Sequence, residues 1–275
     1  MTGLAGKVAF ISGIGRGQGR GHALRLAEAG VAIIGVDIDR PVATVPYALS
    51  SEDDVAQTVK AVEAVGGRIL ARAADVRDLA ALRRVADEGV SLFGRLDIVV
   101  ANAGIAGAAP TLEMDEQTWQ DMIDVNLTGV WKTVRATVPH IVEGGRGGSV
   151  VLTSSLAALR PHENTAHYSA AKAGLVGLMR VLAKELAPDG IRVNTIHPTT
   201  VATEMTLNDT VYRLFRPDLE NPGRADFEEV ARSMNRMQVA AIEVEDVTNV
   251  LMMLVSDTGR YITGSTQLLD AGGAL

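Results

Sequence analysis

Residues 7–30 read KVAFISGIGRGQGRGHALRLAEAG. An apolar run, Lys7–Gly13, enters a turn crowded with glycine, and a segment of helical period, Gly19–Ala29, follows. A strand that is apolar at nearly every position has to be covered on both faces, as strands of parallel sheets are. The same pattern recurs along the chain. Further apolar runs lie at Val31–Asp37, Arg68–Val76, Leu96–Gly104, Ser149–Ser155, Ile191–Pro198 and Thr266–Asp270. Helical segments at Glu52–Val65, Leu79–Leu92, Asp115–Val142, Thr165–Leu186 and Val244–Val255 separate them. Strand–helix alternation implies right-handed crossovers. The expected fold is therefore α/β: a Rossmann-type, doubly wound, seven-stranded parallel sheet flanked by helices.

The 275 residues suit one large domain, and no linker, repeat or low-complexity stretch divides them, so residues 1–275 are read as a single domain. The net charge of -7 and an aromatic content of 4% argue against a nucleic-acid partner, which calls for a basic patch interleaved with aromatics. The absence of cysteine excludes a disulfide framework, a thiolate metal site and a cysteine nucleophile, and fits a reducing cytoplasm. The opening stretch Met1–Phe10 has no apolar core of the secretion-signal kind, and no apolar run approaches the length of a membrane span. A cytoplasmic protein is expected. The histidines His22, His140, His162, His167 and His197 have no zinc-like spacing and read as structural or solvated, so no metal site is assigned.

Two segments break the rhythm. Residues 38–51 join a strand to a helix and contain Pro41 and Pro46, where such loops usually take about 2–6 residues. Ser51 with Asp54 resembles a capping box that ends this insertion. Residues 199–238 follow the sixth strand, contain Pro217 and Pro222, and hold a short helix near Val211. They lie beside the carboxyl ends of the strands, where ligands bind in open α/β sheets, and read as a small substrate lid rather than a plain excursion. Met205, Met234 and Met237 fall within it and are candidates for an adaptable apolar wall, whereas Met252 and Met253 read as core.

Glycines in Gly13–Gly19 let the backbone approach a phosphate, and the helix N-terminus behind them offers unpaired N–H groups and a partial positive charge. Asp37 ends the second strand. A carboxylate there accepts hydrogen bonds from both adenosine ribose hydroxyls and repels a 2′-phosphate, which favours NAD over NADP. Arg16 is the one residue pointing toward a 2′-phosphate. Tyr168 and Lys172 stand four apart and share one helix face. An adjacent ammonium, with a positive nicotinamide, favours phenolate and is expected to lower the tyrosine pKa, so that Tyr168 can act as an acid/base.

The spacing of Gly13, Gly17 and Gly19 resembles the TGxxxGxG pattern of the short-chain dehydrogenase/reductase family, with Ser12 in place of threonine. The motifs that follow in order are similar too: Asp75-Val76, Asn102-Ala103-Gly104, and Asn126, Ser155, Tyr168 and Lys172, then Asn194 and Pro198. The resemblance covers essentially the whole chain. It implies a catalytic set of Asn126, Ser155, Tyr168 and Lys172. Ser155 would steady the substrate oxygen, Lys172 would anchor the ribose, and Asn126 would hold a relay water. It implies cofactor contacts from Gly13, Arg16, Gly17, Gln18, Gly19, Asp37, Ile38, Asp75, Val76, Asn102, Ala103, Gly104, Tyr168, Lys172, Pro198, Val201 and Thr203. Thr199 and Ala158 depart from glycines that the family often has.

The run Ile196-His197-Pro198-Thr199-Thr200 and the insertion at 38–51 resemble the actinobacterial carveol-dehydrogenase-like branch. Its members are associated with the redox peptide mycofactocin and are described as holding NAD so tightly that it hardly exchanges. The resemblance implies an NAD-dependent oxidoreductase interconverting a secondary alcohol, terpenoid or alicyclic, and its ketone. A steroid dehydrogenase or 3-oxoacyl reductase of the same family, and a non-catalytic NAD-binding sensor, are the alternatives. It also implies a homotetramer. Trp119 and Trp131 are open to either core or interface, and the apolar end Gly264–Leu275 suits subunit contact.

Overall fold

Strands β1 (Val8–Ser12), β2 (Ala32–Asp37), β3 (Ile69–Ala73), β4 (Ile98–Ala101), β5 (Gly148–Thr153), β6 (Ile191–Pro198) and β7 (Thr266–Leu269) form one parallel sheet. Their order is β3-β2-β1-β4-β5-β6-β7. The computed structural model describes residues 2–275; Met1, where the stretch read for a secretion signal begins, lies outside them. The winding runs from β1 to β3 in one direction and from β4 to β7 in the other. A crevice therefore opens between the carboxyl ends of β1 and β4, the switch point at which such sheets bind ligands.

The central strands β1 and β4 are buried throughout, as their continuous apolar sequence requires. The edge strand β3 is not: Arg72 and Ala73 are exposed, because no strand lies beyond them. Helices α1 (Gly17–Glu28), α2 (Glu52–Ala64), α3 (Leu79–Phe93), α4 (Glu116–Ile123), α5 (Gly129–Gly144), α6 (Ala166–Leu186), α7 (Asp209–Phe215), α8 (Arg224–Met234) and α9 (Val244–Val255) complete the chain. Two apolar layers, one on each face of the sheet, hold the core: Phe10, Ile34 and Val99 belong to one, Ile11, Ile33 and Val100 to the other.

The capping box at α2 is present: Ser51 Oγ accepts from Asp54 N–H at 3.2 Å, and the Asp54 carboxylate accepts from Ser51 N–H at 2.9 Å. The single helix expected over Asp115–Val142 is interrupted. A π turn at Asp124–Thr128 separates α4 from α5 and carries Asn126. A π turn inserts one residue into a helix and is frequent where function demands it. The segment 199–238 holds two helices rather than one, because α7 and α8 pack on each other. The Phe227 ring meets Phe215 at 4.9 Å and Tyr212 at 5.5 Å between centroids, and Phe227 is fully buried. Its two ends are pinned together, since Ala202 N–H donates to Ile242 and Ile242 N–H donates to Thr200. No helix among the described residues is long and apolar enough to cross a membrane.

Candidate active site

β1 delivers the chain into the glycine turn at the switch point. Gly13 has φ +74, and a Cβ there would lie 2.9 Å from the Ala103 Cα, so the turn and the loop after β4 touch through glycine alone. A Cβ on Gly19 would run into the Gly13 carbonyl oxygen; Gly19 thus lets α1 start directly against the turn, without itself lining the cleft. No side chain caps α1. Its first N–H groups are left for an anion. Gln18 Oε1 is buried beside the same cleft with no hydrogen-bond partner among the described residues. The open helix terminus fits a dinucleotide pyrophosphate, whereas Gln18 Oε1, an acceptor, suits a hydroxyl or N–H donor.

Asp37 accepts from Gly15 N–H at 2.6 Å and from Ile38 N–H at 2.8 Å. Burial pushes its carboxyl up, against those two donors. Arg16 also lines the cleft near Asp37 and donates to the Ala48 carbonyl in the insertion. Asp75 is buried and tied to Arg77 at 2.8 Å, and Val76, Asn102, Ala103, Gly104, Ile38 and Thr203 lie along the same cleft. Asn102 donates to the Ser12 carbonyl at 3.1 Å, joining β1 to β4. Val201 instead turns its side chain into the core.

Next to this cleft lies a cavity of about 450 Å³. Ser155, Tyr168 and Pro198 form part of its wall, and Tyr47 and Met205 face both spaces. The remaining wall is largely apolar and draws on α7 and α8, including Val211, Leu214, Phe215 and Met234. Residues 199–238 thus lie over the cavity. Met237 does not belong to it: the side chain is 72% exposed.

The four residues singled out for catalysis come together around the end of β5. Ser155 follows β5 and precedes a 3-10 turn, Leu156–Ala158, whose Ala157 N–H donates to its Oγ at 3.1 Å. Lys172 is buried and donates to the Thr153 carbonyl at 2.9 Å; its Nζ stands 5.7 Å from the Tyr168 ring centre. Asn126 accepts from Ile105 N–H at 3.2 Å and returns a hydrogen bond to the Ile105 carbonyl at 3.0 Å. A Cβ on Gly104 would meet Asn126 Oδ1 at 2.8 Å and Lys172 Nζ at 3.4 Å, so that glycine makes room between them.

The charge balance differs from the sequence expectation. Burial drives the Tyr168 phenol up rather than down, with the Ser155 hydroxyl opposing it, and drives Lys172 down to about 8. Desolvation outweighs the Ser155 hydrogen bond at the phenol, and it also works against the charged form of Lys172. Its sign predicts a stability effect. Between about 8 and the ordinary 10.5 the unfolded chain holds the Lys172 proton and the native protein does not, so this group's contribution to stability rises with pH over that window. Below it, a charged lysine is carried at a cost. Lys172→Met, with no charge to bury, is expected to melt higher than the parent at pH 7 without cofactor, and the gap should narrow by pH 10. Equal melting at both pH values contradicts the buried charge.

Two site residues were not singled out from the sequence. Tyr47, in the insertion, accepts from Ala106 N–H at 2.8 Å and sits between cleft and cavity. His197 lies behind Ser155. Of the other histidines, His22 is buried against Thr248 at 2.8 Å. No cluster of three or more potential metal ligands occurs among the described residues.

The family model for short chain dehydrogenases matches residues 7–211. The chain is 51% identical to a (-)-trans-carveol dehydrogenase of Rhodococcus erythropolis, covering 100% of both chains. The crystal structure of carveol dehydrogenase from Mycobacterium avium in complex with NAD is 50% identical, with 98% of each chain covered and a TM-score of 0.96. A short chain dehydrogenase from Mycobacterium paratuberculosis bound to NAD is 40% identical over 98% of each chain, with a TM-score of 0.90.

Proposed function

The chain belongs to the short-chain dehydrogenases, and from that premise we propose that it is an NAD-dependent alcohol dehydrogenase in which Tyr168 is the acid/base and the substrate is an apolar secondary alcohol of the carveol type. NAD dependence and action on a CH–OH group agree with the relatives just described. The observation that carries the finer reading is the placing of the Ser155 and Tyr168 side chains on the wall of a mostly apolar cavity that adjoins the nucleotide cleft. Bound NAD supplies the hydride acceptor, C4 of its nicotinamide. Ser155 donates a hydrogen bond to the substrate oxygen and steadies charge there. Tyr168 takes the hydroxyl proton in oxidation and returns it in reduction. Lys172 supplies positive charge beside the phenol and would hold the ribose, and Asn126 keeps the loop after β4 in register with them. The apolar wall favours a hydrocarbon body with one oxygen.

The insertion at 38–51 supports slow cofactor exchange. Four side chains tether it: Thr44 donates to Asp121 at 2.9 Å, Tyr47 accepts from Ala106, Arg16 donates to Ala48, and Thr210 of α7 donates to the Pro46 carbonyl at 3.2 Å. The Arg16 tie lies at the cleft and the Tyr47 and Thr210 ties lie at the cavity beside it, so the insertion is fastened along both spaces, and its release would accompany departure of a nucleotide. Electrons from a retained cofactor would pass to a second carrier, the role that the branch resemblance gives to mycofactocin. Homotetramer formation is supported by Trp119 and Trp131, 40% and 39% exposed on α4 and α5.

The test is oxidation of a panel of alicyclic and terpenoid secondary alcohols, read as reduction of NAD already bound to the purified protein. Reduction by carveol-like alcohols supports the reading, and reduction only by steroids or none at all overturns the substrate class. In the same assay Tyr47→Ala is expected to speed exchange of bound NAD for labelled NAD about 10-fold or more, since it removes both a buried hydrogen bond and a packed ring. Unchanged exchange contradicts the tether.

A further inference from the structure

Ser155 has to be aimed at one substrate oxygen, and the peptide that carries it lies past the end of its sheet. β5 and β6 pair as far as Thr153 and Ile196. Ser154 N–H then donates to the Ile196 carbonyl at 2.9 Å. The next donor in a parallel ladder belongs to residue 198, which is proline and has none. A side chain takes over one residue later. His197 Nδ1 lies 2.9 Å from the Ser155 carbonyl oxygen, and His197 Nε2 lies 2.9 Å from Thr195 Oγ1.

A carbonyl oxygen only accepts, so Nδ1 carries the hydrogen and Nε2 accepts from the threonine hydroxyl. Thr195 and His197 are two apart on a strand and present their side chains to one face. Both are fully buried. Burial holds the imidazole below its ordinary value, consistent with the neutral ring that this pattern needs. His197 lines neither the cleft nor the cavity, so it has no direct contact to offer a substrate.

We propose that His197 is a positioning residue for the reaction: braced by Thr195, its ring fixes the peptide after Ser155 and so aims the Ser155 hydroxyl into the cavity. This rests on the reading of Ser155 and Tyr168 as the reacting pair, and it adds a residue that acts only through Ser155.

The experiment is a double-mutant cycle, read as single-turnover reduction of bound NAD by cyclohexanol as probe alcohol, per mole of NAD retained. Ser155→Ala is expected to slow the step about 100-fold. His197→Leu is expected to slow it about 30-fold, the scale of a misplaced catalytic group, with little change in KM. The double variant is expected to be no slower than Ser155→Ala alone, within about 3-fold. His197→Asn should recover to within about 5-fold of the parent, because its amide nitrogen occupies the Nδ1 position and can donate to the same carbonyl. Should His197→Leu fail to fold, Thr195→Val replaces it in the cycle, with an expected loss of about 5-fold that likewise vanishes on the Ser155→Ala background. Losses that multiply in the double variant, or a His197→Leu enzyme at the parent rate beside a crippled Ser155→Ala, overturn the positioning role and leave the reaction assignment standing. Ser155→Ala and Tyr168→Phe both at the parent rate overturn the assignment itself, and the role of His197 with it.

Discussion

Phenylalanine at position 168 is expected to slow alcohol oxidation by about 10³–10⁴-fold, the range that a positioned acid/base contributes. The change removes one oxygen and keeps the ring, which lies packed between Lys172 and the substrate cavity. NAD content and melting temperature should stay near those of the parent, so the loss belongs to chemistry rather than folding. The pH profile gives a second reading. Burial holds the Tyr168 phenol above its ordinary value, so surrendering the proton is uphill at neutral pH. Oxidation by the parent should accelerate as pH rises through neutrality, reduction should stay level because the phenol keeps its proton there, and the rise in oxidation should flatten in the variant. Single-turnover reduction of bound NAD, followed across pH, checks both. A variant that retains more than a tenth of the parent rate removes Tyr168 from the proton transfer.

Asp37→Ala carries the next largest expected effect, on cofactor choice. The carboxylate lines the cleft with its oxygens turned to Gly15 and Ile38 N–H groups. As the proposed acceptor for ribose hydroxyls it would make charge-assisted bonds, whose loss is expected to weaken NAD binding by about 10–100-fold. Its repulsion of a 2′-phosphate, worth several kcal/mol when like charges meet, disappears at the same time. The preference for NAD over NADP should therefore fall by about 10³-fold or more, measured as the two Kd values on protein stripped of nucleotide. Arg16 stands on the turn next to this position and becomes available to a phosphate once freed from Ala48. An unchanged ratio would mean that shape, not charge, selects the nucleotide.

The parts of the site that sequence reveals are those set by local spacing. The apolar runs locate β1 and β4, and so the switch point; Asp37 follows from the end of its strand; Tyr168 and Lys172 follow from one helical turn. What escapes depends on contacts distant along the chain. Ser155 and His197 are 42 residues apart in sequence, and a lone histidine in an apolar strand gives no sign of a partner. The insertion announces itself by length, yet nothing periodic marks Tyr47 as the residue that faces both spaces. α8 hides because its apolar face meets α7 rather than the sheet. The upward shift of the Tyr168 phenol without cofactor escapes for a related reason: spacing supplies the lysine but not the depth of burial around the ring.

The π turn at Asp124–Thr128 also sets a phase. Trp119 and Trp131 lie twelve positions apart on either side of it. At about 100° per residue, an uninterrupted helix would splay them by about 120°. A π turn absorbs one residue, which brings them to within about 20° of each other. The residue that swings Asn126 toward Ile105 thus also aligns two half-exposed tryptophans into a single stripe. Deleting one residue here would return the helix to regular winding and dismantle the stripe along with the site, so chemistry and outward face are geared to the same tooth.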